Sequence, residues 1–543
     1  MNKLTLLFLT LFISVFVSGQ KDKKGNVFSN AGDAAKIFSA KQKMFAGEYI
    51  GALNTFRDVE KDNQNNASVK YYIGLCYYNL NQISNAKLSL LKAVEINVDV
   101  KPETHLYLGK VYQAEENFDQ AIQEYKLFKA SPADDKESQE DADTFLSQCE
   151  NAKLLIASPI PVVITNLGSE INSKYDDKNP CITADGKRIV FTTRRPETTN
   201  DPTDVEGDGK FFENIYTATL DSVSHNFSKA GSMGSAVNTK AHDAVTSISP
   251  DGKQIFIYYN DMSNAAKRGG SVFVSKLANG KWKVPETLGK PINSSYWEGG
   301  ACVSPDGKRY FFSSERKGSY GGSDIWMVEK KSKTEWGIPT NLGPEINTAY
   351  DEAGMFLAPD GKTLFFCSNG PKSMGGYDVL KTVYEKGKWS VPVNVGYPIN
   401  SSSKEGQLTI SADAKYAYVS SDRKGGLGEN DIYKIDLKDY AILEPDGKKK
   451  MSNGLSILKG TIREGFEGYG VQDVEVIVKD EQNNEIAATN TNENGEYFFT
   501  MHGGKYSLLI KKKGFSEIAE NIDLGISEKE TVILEKGYLL KKP

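Results

Sequence analysis

The sequence predicts a multidomain chain of the α + all-β class: an array of paired helices, then a ring of small antiparallel sheets, then a β-sandwich. Three observations carry this. Residues 33–155 repeat large and small residues at helical spacing with a period of 35, and residues 160–440 return five times to one tight-turn sequence. Residues 456–540 hold short alternating runs separated by turn residues. A length of 543 residues leaves room for three or four domains at roughly 100 to 200 residues each.

The N-terminus reads as a secretory signal peptide over residues 1–19: Lys3, an apolar and hydroxyl run from Leu4 to Val17, then Ser18-Gly19-Gln20 with cleavage after Gly19. The core is too short to span a membrane, and no later stretch reaches the ~18 apolar residues a span needs. The mature chain is therefore expected to be exported, without a transmembrane span. No cysteine follows the cut, which argues against a lipid anchor. The formal charge is −5, and the signal peptide removes one lysine and no acid, so nothing in the charge points to nucleic acid. The five cysteines are scattered with no C-x-x-C pair, leaving room for one bridge but no disulfide framework.

In the helical region Ile73-Gly74 and Tyr77 recur as Leu108-Gly109 and Tyr112, and Ala86 recurs as Ala121. Tyr49, Ala52 and Phe56 stand where Phe118, Ala121 and Tyr125 stand later. Small residues let two helices approach, and large ones fill the groove between them. This resembles the tetratricopeptide repeat, with three repeats and a closing helix near Asp134 to Leu155, and it implies a groove for a peptide or a partner helix.

The five turns are Ala184-Asp185-Gly186-Lys187, Pro250-Asp251-Gly252-Lys253, Pro305-Asp306-Gly307-Lys308, Pro359-Asp360-Gly361-Lys362 and Ala412-Asp413-Ala414-Lys415. Aspartate can bond its own backbone and glycine accepts a positive φ, so each is a tight hairpin, followed by an apolar strand such as Tyr310-Phe311-Phe312. Asn172, Asn238, Asn293, Asn347 and Asn400 keep the same steps of 66, 55, 54 and 53 residues. A third strand begins at Asp324, Asp378 and Asp431, and a fourth follows Trp282, Trp336 and Trp389. Four strands per unit make a propeller blade. The last unit lacks its fourth strand while Pro161 to Leu167 supplies a spare one, which gives five blades closed by both ends, with six as the alternative. These repeats resemble the WD40-like, Pro-Asp-repeat propellers of bacterial envelope proteins such as TolB.

Eight residues before each turn aspartate stand Asp177, Asp243, Glu298, Glu352 and Glu405. Ten after it stand Arg195, Asp261, Arg316, Gly370 and Arg423. Three blades thus carry an expected structural acid-arginine pair: Asp177 with Arg195, Glu298 with Arg316, and Glu405 with Arg423. Asp243 faces Asp261, and Glu352 faces Gly370. These unpaired acids are candidates for binding a cation or a basic partner on the propeller face, against the plainer reading that they cap backbone N–H groups. The first blade's insertion spaces Asp204, Glu206 and Asp208 as a calcium loop does, but Ile215 stands where a bidentate glutamate is needed, so a solvated acidic loop is the better reading and no metal is expected.

A polar linker over 441–455 precedes strands at Leu458–Ile462, Val474–Val478, Gly495–Phe499 and Gly504–Ile510. This module is similar to the carboxypeptidase regulatory-like domain, an accessory without catalytic groups of its own. The four histidines fall in three modules, no G-x-S-x-G elbow occurs, and Gly361-Lys362-Thr363 has Phe356 where a phosphate loop needs glycine, so no catalysis and no cofactor are expected.

The order of signal peptide, tetratricopeptide array, Pro-Asp propeller and regulatory-like sandwich resembles the PorE-type periplasmic proteins of Bacteroidota, associated with type IX secretion and gliding. Fuller members continue into an OmpA-like domain that grips peptidoglycan. This chain ends at Pro543 after its sandwich, so peptidoglycan binding is not carried over. The resemblance implies a non-enzymatic scaffold in the periplasm, associated with the outer membrane, whose partners are envelope or secretion-system proteins. The alternative is an exported binding module for a peptide, glycan or metal ligand.

Overall fold

The computed structural model describes residues 31–131, 136–198, 200–204, 209–221, 223–259, 270–332, 335–444, 455–465, 468–525, 527 and 531–543. The signal-peptide segment, linker residues 445–454, and Glu206, Asp208 and Asp261 lie outside them. The chain divides into two compact units, residues 1–142 and 143–543.

The first unit holds three helical hairpins: α1 (Ala31–Phe45) with α2 (Tyr49–Asp62), α3 (Ala67–Asn79) with α4 (Ile83–Ile96), and α5 (Glu103–Ala114) with α6 (Phe118–Ala130). Asn66 caps α3 by accepting from Val69 N at 3.1 Å, which satisfies one of the donors a helix start leaves open. The inter-helix turns use left-handed residues at equivalent places, Gly47, Asn81 and Glu116. Steric fit sets the spacing within each hairpin. A Cβ on Gly74 would lie 2.7 Å from Leu90 Cγ, and one on Gly109 would collide with the Tyr125 ring, so glycine is what lets these helices touch. Leu90 and Tyr125 are fully buried as a result, and Tyr125 Oη donates to Gln113 Oε1 at 2.7 Å. A seventh helix, α7 (Lys136–Ala157), contains the boundary between the units.

The second unit opens with five antiparallel sheets. Their first strands are Asp177–Ile182, Asp243–Ile248, Glu298–Val303, Glu352–Leu357 and Glu405–Ile410. Each pairs with a second strand across the tight turn and then, through it, with a third. Short fourth strands complete sheets one to four, at Gly231–Ser232, Glu286–Thr287, Thr340–Asn341 and Val393–Asn394. In sheet five that place is taken by Val163–Asn166, which pairs antiparallel with Asp431–Asp436. The first strands pack in cyclic order, one against two, two against three, three against four, four against five, and five against one. Phe191, Phe256, Phe311, Phe312, Phe365 and Phe366 on the second strands are fully buried, as strands covered on both faces require. Each such phenylalanine contributes about 2–3 kcal/mol of apolar burial. The five cysteines are free thiols and all are buried.

The turns share one hydrogen-bond plan. Asp185 Oδ1 accepts from Lys187 N at 3.0 Å and from the Thr183 hydroxyl at 2.6 Å, and Ser249, Ser304 and Ser411 repeat the hydroxyl bond to Asp251, Asp306 and Asp413. In the fourth turn Ala358 offers no hydroxyl, and Thr363 Oγ1 from the other side donates to Asp360 Oδ2 at 2.6 Å instead. Gly361 sits at φ 69°, and in the fifth turn Ala414 takes the same left-handed region at 52° without glycine's freedom.

The C-terminal module is a two-sheet sandwich. Leu455–Glu464 pairs with Glu496–His502 and, in parallel, with Ile533–Glu535 and Tyr538–Leu540. The facing sheet runs Glu485–Asn490, Glu475–Lys479, Gly504–Lys511, Ile518–Leu524. Leu458, Val476, Phe499, Leu508 and Ile522 meet in its core.

Candidate functional site

The repeated polar residues of the five sheets form one local circuit. Asn347 Oδ1 accepts from Ile325 N at 2.8 Å while its Nδ2 donates to Ile325 O at 2.9 Å, so the side chain pairs with the third strand of sheet three as another strand residue would. Asn238, Asn293 and Asn400 do the same to Ile215, Val272 and Val379. Asn172 reaches Ile432 of sheet five at 2.8 and 2.9 Å, which is why it follows the strand Val163–Asn166.

The residue after each asparagine is Ser or Thr, and it holds the acid that opens the next first strand. Thr348 donates its N–H and its hydroxyl to Glu352, both at 2.8 Å. Ser173 and Ser401 do so to Asp177 and Glu405. All five acids are fully buried. Arg195 Nη2 donates to Asp177 Oδ1 at 2.6 Å, Arg316 Nη2 to Glu298 Oε1 at 3.2 Å, and Arg423 Nη2 to Glu405 Oε1 at 3.0 Å. The same guanidiniums donate to backbone carbonyls of Ile171, Ile292 and Ile399 and lie over Tyr216, Phe312 and Tyr433. Each arginine therefore joins the acid, the asparagine loop and the aromatic side chain of its own sheet.

Sheet four replaces the arginine with Gly370. Glu352 takes its third bond from Ser368 Oγ at 2.8 Å, and burial raises its carboxyl pKa against the pull of the Thr348 and Ser368 bonds. Helix α7 docks on the segment that carries Gly370: Gln148 Nε2 donates to Asn369 O at 2.8 Å and to Gly370 O at 3.3 Å, and Asn151 Nδ2 to Ser373 O at 3.2 Å. The hydroxyls of Thr144 and Tyr350 close the contact.

In sheet two, Asp243 is held by Thr239 N and by Thr239 Oγ1 at 2.9 Å, and burial pushes its pKa up to about 7. Beside it His242 lies between Glu213 and Asp204, each at 3.2 Å, and Lys178 bridges Glu213 at 2.6 Å and Asp176 at 3.1 Å. Burial would raise Glu213, but the His242 bond, Lys178 and Arg194 outweigh it and hold the carboxyl well below its ordinary range. The Glu213 hydrogen bond in turn raises His242.

Of the acids singled out in the sequence, Asp243 and Glu352 are thus spent on their own turns and reach no surface, so a cation or partner would meet them only by displacing the threonine bonds. Asp204 is bound to His242, while its companions Glu206 and Asp208, and Asp261, lie outside the described residues. Sequence reasoning missed the Ser or Thr after each asparagine, although its recurrence at the same steps was visible. It also missed His242, whose partners are distant in sequence.

The tight-turn side of the sheets carries the sandwich. Leu455 N donates to Ala412 O at 2.9 Å, Thr500 Oγ1 to Pro359 O at 2.6 Å, and Lys253 pairs with Glu496. Ala184, Ala412, Leu455 and Ile457 form a small apolar seam. Over turns one to three the two walls stand apart and enclose a cleft of about 1190 Å³.

The sequence profile of the carboxypeptidase regulatory-like domain matches residues 457–535. No curated protein sequence matches the chain. Among solved structures, the Yersinia enterocolitica type III secretion chaperone SycD with a peptide of the translocator YopD is 15% identical, covers 24% of this chain and 99% of its own, and has a TM-score of 0.22. A Mycobacterium tuberculosis puromycin-hydrolyzing peptidase is 15% identical over 46% of this chain and 35% of its own, with a TM-score of 0.27. Trypanosoma rangeli sialidase with the inhibitor DANA is 10% identical over 67% of this chain and 89% of its own, with a TM-score of 0.29. Likeness at this level carries neither fold nor activity over to this chain.

Proposed function

We propose that this chain is a non-enzymatic interaction protein of the bacterial envelope, built from a tetratricopeptide array (33–155), a five-bladed β-propeller (160–440) and the regulatory-like sandwich (456–540). The observation that carries the propeller reading is the cyclic packing of the five first strands, with Val163–Asn166 completing the fifth sheet. Both repeat regions are architectures whose surfaces bind partners, and two modest sites on one chain reinforce each other. The buried acids act as keystones of their turns; Asp177, Glu298 and Glu405 do so with their arginines, Asp243 with Thr239, and Glu352 with Thr348 and Ser368.

Placement in the periplasm near the outer membrane, and service to a type IX secretion or gliding assembly of the PorE kind, rest on the signal-peptide reading and the module order. The test is cross-linking in cells followed by mass spectrometry. Stable envelope-protein partners are expected, and recovery of none would sink the reading. A second reading, an exported binding module for a peptide, glycan or metal ligand, is favoured by the cleft on the turn side.

A further inference from the structure

The cleft has two unlike walls. The wall formed by the sheets carries seven basic side chains and three acids. The acids, Asp185, Asp251 and Asp306, each accept a hydroxyl and a backbone N–H of their own turn. By contrast Lys187, Lys276, Lys308 and Lys331 are exposed and form no ion pair among the described residues. On the sandwich wall Glu496 and Glu535 are taken by Lys253 and Lys459. The positive charge is concentrated on the sheet wall, where basic side chains outnumber acids, while Asp473 and Glu475 also line the sandwich wall.

The sandwich wall also brings a strand edge. Glu485–Asn490 ends its sheet and pairs on one side only, with Glu475–Lys479, and Ala488, Thr489 and Asn490 line the cleft. An edge strand presents a row of main-chain donors and acceptors, and extended peptides add to such edges. The volume exceeds the ~300–1,000 Å³ usual for small-ligand pockets. Trp336 and Tyr310 add apolar surface to the basic wall.

Resting on the interaction reading above, we infer that the cleft binds an extended acidic peptide segment, which pairs through its main chain with Glu485–Asn490 and turns its carboxylates to the lysines of the turns. Alternation of side chains along a strand puts one row of carboxylates toward Lys276 and Lys308.

The test is fluorescence anisotropy of the full chain with a labelled decapeptide that alternates glutamate and valine. Binding is expected to weaken as salt rises, to fall at least tenfold in the double variant Lys276→Glu/Lys308→Glu, and to fall similarly when alternate peptide nitrogens are methylated. Unchanged circular dichroism and Tm in the variant tie the loss to the cleft. No binding by the unaltered chain, binding that the double variant keeps, or equal binding of the methylated peptide overturns the inference. If cellular cross-links persist while the unaltered chain ignores the peptide, the cleft assignment falls and the interaction reading stands.

Discussion

The helical array and the five sheets keep their repeats in register by opposite means. In the array the registering contact is steric: Gly74 under Leu90 and Gly109 under Tyr125, with helices that satisfy their own backbone. In the sheets it is polar. Backbone groups near the start of each third strand and in the loop before each first strand are satisfied by side chains, and Asn347, Thr348 and Glu352 or their equivalents do so five times. The lesson is that a helical repeat is specified by volume and a sheet repeat by hydrogen bonds, so the two should fail differently.

The sharpest test is Arg316→Met. It leaves Glu298 buried without its partner, a loss of about 4 kcal/mol. Hydrogen exchange followed peptide by peptide should show opening in sheet three and its neighbours while residues 31–130 stay protected. Next, Asn347→Leu orphans the N–H and C=O of Ile325, at about 3 kcal/mol, read as a lower urea midpoint. Gly109→Ala overpacks Tyr125 and should cost about 2 kcal/mol, with faster exchange confined to α5 and α6. If either sheet variant loosens the helices as much as the sheets, the comparison is broken.

Smaller effects follow from the acids without arginine. Burial raises Asp243 from 3.8 to about 7 and raises Glu352, so the folded state favours their protonated forms. Their contribution is fully present below the ordinary carboxyl range and is lost as pH rises toward the folded pKa, near 7 for Asp243. Asp243→Asn should therefore flatten the decline of Tm between about pH 4 and pH 7. Glu352→Gln should change stability by about 1 kcal/mol or less, since it keeps an acceptor for Thr348. Unchanged partner capture by that variant is expected of a keystone, and reduced capture would return Glu352 to the list of binding groups.

Legibility followed repetition. The turn aspartates, the asparagines and the strand-opening acids could be read because each recurs at one spacing. The arginine positions were legible for the same reason, and so was the gap at Gly370. What docks beside that gap was not: Gln148 lies far back in the chain, and nothing local marks a helix amide that will reach a glycine carbonyl. Nor could the Asp204, His242, Glu213 and Lys178 cluster be seen, because an insertion brings its members together. The fourth turn shows the limit from the other side, since the hydroxyl missing at Ala358 returns from Thr363, where pattern matching does not look.

The borrowed strand of sheet five has a consequence in time. Asn166 meets Asp431 across 265 residues, so during synthesis the early segment waits, edge exposed, while four whole sheets are made. A chain cut between residues 395 and 430 keeps every strand of sheets one to four but leaves Val163–Asn166 without the strand it pairs with.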